Sequence, residues 1–198
     1  MSKMLTIYGA LLNRKEKVCF KSDILEIIRE YNKSFGKINA KNTLWYLSRH
    51  GYIKRIAFNF YYINSPDERE GRFCRHEDKE LLFAVLNRLN IKWYIGLNSA
   101  LYLLGKAWQT PNIIIIINNK ISGKKRILGL NVKFAKIKDN LIFGLKTGKT
   151  RNNISYSYSG LAKTYIDIAY FRQSNKIIAA KETKSYLKRY PKWLSRLI

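Results

Sequence analysis

Five isoleucines in a row, Ile113 to Ile117, constrain this chain more than any other feature. The run is far too short to span a bilayer. Unbroken β-branched residues without polar alternation instead suit a strand buried on both faces. The residues around it fit a sheet with helices. Leu81, Leu82, Val85, Leu86 and Leu89 keep helical spacing in a helix predicted over Glu77 to Leu89. Ile91 to Gly105 reads as a strand, a tight turn capped by Asn98 or Ser99, and a short helix. Further strands are predicted at Leu128 to Ala135 and Leu141 to Lys146, with Asp139 and Asn140 as the turn between them. Helices over Tyr158 to Phe171 and Ala179 to Leu197, the second interrupted by Pro191, close the chain. Their expected core members are Leu161, Tyr165, Ile168 and Ala169, then Tyr186, Leu187, Trp193 and Leu197.

The first 64 residues have another pattern. Leu5, Tyr8, Leu11 and Leu12 mark one face of a short helix over Met4 to Leu12. Ser22 can cap a second helix whose stripe is Ile24, Leu25, Ile27, Ile28 and Tyr31, with Asp23 and Glu26 near its positive start. After a polar turn at Asn32 to Gly36, Asn39 can cap a third helix that runs through Leu44 and Leu47 to His50. Gly51 offers the left-handed stop. Two aromatic and β-branched segments, Tyr52 to Ile56 and Phe58 to Ile63, flank a turn around Ala57 and Asn59 and read as a hairpin.

This order of helices, glycine and hairpin predicts an α+β chain: an N-terminal winged helix-turn-helix over 1–64 followed by a mixed α/β C-terminal domain over 77–198. The stretch 65–76, with Pro66, Gly71 and the mixed charges Asp67-Glu68-Arg69-Glu70, reads as a linker.

Charge narrows the function. The 198 residues hold 38 Lys and Arg against 13 Asp and Glu, a net charge of +25. Such an excess repels itself until salt or a polyanion relieves it, and nucleic acid is the first candidate. The alternative is a genome or proteome that simply favours lysine. Both ends are basic: 12 basic and 4 acidic residues lie in 1–64, 7 and 6 in 65–118, and 19 and 3 in 119–198. A hydrophobic content of 46% argues against disorder. Cys19 and Cys74 are far apart and form no CxxC, which indicates neither a disulfide framework nor a cysteine-built zinc site. The N-terminus lacks signal-peptide order. A soluble protein of the reducing cytoplasm, without metal, cofactor or membrane partner, is expected.

If the third helix enters the major groove of double-stranded DNA, its exposed candidates are Asn39, Lys41, Asn42, Trp45 and Arg49. Asn pairs bidentately with adenine and Arg with guanine, whereas Lys more often meets phosphate. Asn42 is therefore expected to read a base and Lys41 to position the helix, while Arg49 can do either. Lys54, Arg55 and Asn59 belong to the wing, and Lys21 and Lys37 flank helix starts where they can clamp phosphates. Each of these cations can equally be part of a solvated face. A lone helical Trp such as Trp45 is more often packed than free.

With the N-terminal pattern, two further segments carry a family resemblance. Tyr94-Ile95-Gly96-Leu97-Asn98-Ser99-Ala100-Leu101 and Gly160-Leu161-Ala162-Lys163-Thr164-Tyr165-Ile166-Asp167-Ile168-Ala169-Tyr170 resemble AbiEi-like antitoxins of type IV toxin–antitoxin systems. That family's lysine-threonine, two apolar residues, aspartate signature is matched by Lys163, Thr164 and Asp167. The resemblance implies an autorepressor that binds an inverted-repeat operator near its own promoter, beside a nucleotidyltransferase-like toxin gene. Asp167, among apolar neighbours, is expected to pair with a nearby Lys or backbone donor in a structural role.

Enzymatic readings find little support. The Gly96-Leu97-Asn98-Ser99 turn resembles that of nucleotidyltransferases, but these need paired carboxylates on a following strand, and the chain has no acid between Glu80 and Asp139. Glu182-Thr183-Lys184 matches half of a nuclease motif but reads as helix. His50 and His76 have no marked Ser or Cys partner. No catalytic residue is expected. Two rival readings remain: an RNA or single-strand binder that stacks bases on Tyr156, Tyr158 and Tyr165 beside Lys163, and a degenerate transferase kept as a protein-binding scaffold.

Overall fold

In a computed structural model that describes residues 3–35, 39–172 and 183–194, the apolar stripes of the first segment become three helices. These are α1 (Lys3–Leu12), α2 (Lys21–Phe35) and α3 (Ala40–Arg49). Ile7, Tyr8 and Leu11 of α1, Ile24 and Ile28 of α2, and Leu44 and Leu47 of α3 share one core. Leu5, expected inside, is exposed, and Ile7 takes its place. The start of α2 also differs from expectation. Asp23, not Ser22, receives the Phe20 N–H at 3.3 Å, and the Ser22 hydroxyl donates to Asp23 at 3.0 Å.

Three strands close this core: β1 (Val18–Phe20), β2 (Ile53–Arg55) and β3 (Phe60–Ile63), antiparallel in the order β1-β3-β2. Cys19 faces Tyr61 across the ladder and is fully buried. Gly51 ends α3 with a φ of +71°, as its position predicts. In the hairpin turn Phe58 and Asn59 both adopt positive φ, 51° and 65°, and the Phe60 N–H reaches the Ala57 carbonyl at 2.8 Å. Two consecutive left-handed residues give the turn whose twist matches that of its strands.

The stretch expected as a linker contains α4 (Pro66–Arg69), with a capping box between Ser65 and Glu68. The Glu68 carboxylate also accepts the Tyr62 hydroxyl at 2.9 and 3.0 Å and the Arg75 N–H at 3.0 Å. These bonds tie the acidic run to β3. The chain instead divides at Val85 and Leu86, within α5 (Asp78–Arg88).

The second unit, 86–198, is built on a six-stranded sheet. Its strands are β4 (Trp93–Ile95), β5 (Ile114–Asn118), β6 (Gly123–Ile127), β7 (Leu130–Lys136), β8 (Leu145–Lys149) and β9 (Ser155–Ser159). Their order is β6-β7-β5-β4-β9-β8; β5 with β7 and β4 with β9 run parallel, and the other neighbours antiparallel. The helices are α6 (Leu97–Leu103), α7 (Leu161–Tyr170) and α8 (Thr183–Leu187). The chain is thus α+β, with eight α-helices and two sheets among the described residues.

Ile115 and Ile117 point into the core with Tyr94, Ile166, Ala169 and Leu187, while Ile116, on the opposite face, is equally buried. From Ile115 to Ile117 the run is therefore covered on both faces, whereas Ile113 precedes β5 and is exposed and Ile114 is half-buried. Other expectations change. Leu128, predicted to start a strand, lies with Gly129 in the β6–β7 turn, both at positive φ. Residues 139–141 form one 3-10 turn, so β8 begins only at Leu145. The first three residues of the helix predicted from Tyr158 are not helical, because the alternation Ser155-Tyr156-Ser157-Tyr158-Ser159 makes β9 and α7 begins only at Leu161. Trp193 is partly exposed; Leu197 and the first residues of the last predicted helix lie outside the described residues.

At the end of β4 the backbone of Gly96 runs against β5. A Cβ there stands 2.3 Å from Ile117 Cδ1 and 2.9 Å from its Cγ1. Ile117 is fully buried and cannot swing away. Gly96→Ala is expected to destabilise the chain by about 1–3 kcal/mol through overpacking. Ile117→Val removes the nearest methyl, so the double variant should lose less in a denaturant titration than the two singles added together.

Candidate nucleic-acid interface

The geometry of α3 follows from its two faces. Thr43, Leu44 and Leu47 are buried; Lys41, Asn42, Trp45 and Arg49 are exposed. Spacings of three and four residues align Asn42, Trp45 and Arg49 along one stripe. Trp45, a candidate for the exposed face although a lone helical Trp more often packs, is 61% exposed. The Arg49 guanidinium lies 5.3 Å from its ring centre, a cation–π contact that orients both groups. No acid occurs in the helix, so the stripe carries no negative charge of its own. Asn39 does cap α3: its side-chain oxygen accepts the Lys41 N–H at 3.0 Å. That commits the oxygen to the helix and leaves Asn42, whose side chain makes no hydrogen bond among the described residues, as the other asparagine of this face.

The hairpin beside α3 presents Arg55 and Asn59 to solvent. Asn59 also holds the turn, where its backbone carbonyl receives the Lys21 N–H at 2.7 Å. Lys21 is half-buried at that junction, and Lys37 lies outside the described residues. Lys54 is not an idle cation, because its ammonium stands 2.8 Å from Asp78 Oδ1. Asp78 was not foreseen as its counter-ion, since 24 residues separate the two. If the wing contacts phosphate, Asp78 competes for Lys54. Asp78→Asn is accordingly expected to strengthen binding to random duplex and to steepen log K against log salt by about 0.9, the increment for one added phosphate contact. Salt titrations by fluorescence anisotropy check this, and an unchanged slope counts against a wing contact by Lys54.

Lys163, Thr164 and Asp167 occupy one side of α7 and are fully buried. Four residues of spacing place Lys163 and Asp167 one above the other. Lys163 Nζ donates to Asp167 Oδ1 at 2.5 Å, to the Tyr190 hydroxyl at 2.5 Å and to the Tyr94 hydroxyl at 3.0 Å. Tyr94 then donates to Asp167 Oδ2 at 2.8 Å and Tyr190 to Oδ1 at 2.5 Å. All three ammonium hydrogens, both phenol hydrogens and both carboxylate oxygens are engaged. Burial draws each ionic partner toward its neutral form, Lys163 downward and Asp167 upward in pKa, against their mutual attraction. Burial and the carboxylate push both phenols up. Thr164 bonds the Ser159 hydroxyl at 2.6 Å and the Gly160 carbonyl at 2.9 Å, which fixes the turn from β9 into α7. The quartet clamps β4, α7 and the segment after α8 together. Tyr94 and Tyr190 were missed because they lie 69 and 27 residues from Lys163, where no local spacing connects them.

Elsewhere the Ser99 hydroxyl is spent on β5, donating to the Ile113 carbonyl at 3.1 Å and accepting the Ile115 N–H at 2.9 Å. An open groove of about 590 Å³ beside α6 is lined by Asn98, Trp108, Gln109, Thr110 and other residues, none of them ionisable. Among the described residues no three His, Cys, Asp or Glu side chains gather as metal ligands, and no helix is long and apolar enough to cross a membrane. The chain matches no protein-family model and no curated protein.

Proposed function

We propose that this chain is a sequence-specific, duplex-DNA-binding transcriptional repressor of the cytoplasm, with residues 1–64 acting as a winged helix-turn-helix. In this reading α3 enters the major groove, Asn42 and Arg49 read base edges, Lys41 and Arg55 contact phosphates, and Trp45 packs against the sugar and base edges. The observation that carries it is the exposed Lys41, Asn42, Trp45 and Arg49 stripe, which has no acid, on a helix whose other face is core and whose neighbour is a tight antiparallel hairpin. Asparagine and arginine on such a face match the donor and acceptor pattern of the major groove.

The antitoxin role, with autorepression at inverted repeats beside a nucleotidyltransferase-like toxin gene, rests on the AbiEi-like segments around Lys163, Thr164 and Asp167. The closed quartet supports a structural part for those three residues, since none of their polar atoms is left for a substrate. The proposal includes no chemical step and no cofactor.

The test is a titration of the full chain with duplex DNA, single-stranded DNA and structured RNA at several salt concentrations. Duplex is expected to bind best, with a steep salt dependence. Equal or tighter binding to RNA overturns the reading.

A further inference from the structure

We propose that the β6–β7 hairpin is a second polyanion surface, which grips the phosphodiester backbone of duplex DNA independently of α3. Residues 86–198 hold 22 basic and 3 acidic residues, so most of the excess charge lies outside the α3 unit. Part of it is concentrated on one ribbon. β6 is an edge strand, and Gly123, Lys124, Lys125 and Arg126 are all exposed. The register sets Lys124 directly opposite Lys133 and Arg126 opposite Asn131. Alternation along each strand places these four side chains on one face.

The ribbon is held firmly. Ile127, Val132 and Phe134 on its other face are buried, and a two-residue turn with Leu128 and Gly129 at positive φ joins its strands. Cations here are presented by rigid backbone rather than by a loose loop.

Like charges directly opposite each other in a ladder are unfavourable. No acid relieves them among the described residues: Asp139 lies 3.5 Å from Lys92, and Asp167 is buried with Lys163. Lysine on an edge strand commonly guards against edge-to-edge pairing. That purpose accounts for Lys124 but not for Lys133, which sits on an inner strand and adds only repulsion. A bound polyanion turns the repulsion into attraction. An acidic protein is the weaker candidate, because protein interfaces centre on aromatic and aliphatic anchors and are depleted in lysine. This face offers lysine, arginine and asparagine, the groups that meet phosphate.

The test compares four full-length proteins on a random-sequence duplex, on an operator duplex selected from a random pool by the wild-type chain, on single-stranded DNA and on structured RNA, from 50 to 200 mM salt by fluorescence anisotropy. They are wild type, K124Q/R126Q/K133Q, the α3 variant N42A/R49A, and K146Q/K149Q/R151Q, which removes three exposed cations from the opposite sheet edge and the loop after it. Three lost phosphate contacts should lower the slope of log K against log salt by about 2.7. Wild type should then lose about 40-fold more affinity over that range than the hairpin variant. The melting temperature of the hairpin variant should hold or rise as the repulsion disappears. An unchanged slope, an equal fall in the opposite-edge variant, or an effect confined to RNA or single strands overturns the proposal. The α3 reading fails separately, if N42A/R49A leaves operator preference intact while the hairpin variant still lowers the slope.

Discussion

Lys163→Met is expected to be the most damaging single substitution in the second unit, lowering stability by about 3–5 kcal/mol. Methionine fills much of the same volume, so the loss is electrostatic. It strands the Asp167 carboxylate in a site without solvent access, with the two phenol donors of Tyr94 and Tyr190 as its remaining partners. For a chain of this size the melting temperature should fall by roughly 6–20 °C.

The pH dependence identifies the cause. Burial already raises the pKa of Asp167 in the wild type, and loss of the ammonium raises it further. A carboxyl whose folded pKa exceeds its unfolded value contributes stability below the unfolded pKa and loses it as pH rises through the folded one. The deficit of Lys163→Met should therefore be smallest near pH 4 and grow toward neutrality. K163M/D167N removes both charges yet keeps an acceptor for a tyrosine, so it should recover most of the loss. Chemical denaturation of the three proteins between pH 4 and 8 checks this; a deficit that does not vary with pH points to packing instead.

The quartet also shows where sequence reading stops. Asp167 was expected to pair with a nearby Lys or backbone donor, and Lys163, four residues away on the same helix, is a local partner. Tyr94 and Tyr190 come from a strand and from the segment after α8, and only the packed sheet brings them to that lysine. The same division holds elsewhere. Asn39 and Gly51 are set by short-range capping and backbone preference, and the sequence shows them at the residues where they occur; the hairpin turn falls around Ala57 and Asn59 as expected but also takes in Phe58, expected to open the second strand. β1 and β6 escape such reading for opposite reasons. Val18–Phe20 is too short to display a period, and Gly123–Ile127 is too cationic to display an apolar one. β9 does display its period, Ser and Tyr in strict alternation, but tyrosine also suits the helical stripe that follows and the two were merged. At the candidate interface the exposed stripe of α3 was legible from Leu44 and Leu47 facing inward. The Lys54–Asp78 pair was not, because it joins β2 to the start of α5.

The second large effect concerns discrimination rather than stability. Asn42→Ala and Arg49→Ala are each expected to cost about 1–3 kcal/mol on the preferred operator, roughly 5- to 150-fold in affinity, if each makes a bidentate base contact. Their behaviour on random duplex should differ. Asn42→Ala removes no charge and should leave random DNA almost unaffected, whereas Arg49→Ala removes a cation and weakens both. Arg49→Lys separates the two parts of that side chain's role. It keeps the charge, and so the salt slope, but loses the planar fork and its stacking on Trp45, and so the discrimination. Because Trp45 is exposed in the free protein, its burial on duplex should also change its fluorescence in step with operator binding. An operator can be selected from a random duplex pool with the wild-type chain and used for all variants. If Asn42→Ala loses the same affinity on selected and random sequence, Asn42 contacts the backbone and α3 is not the reading helix.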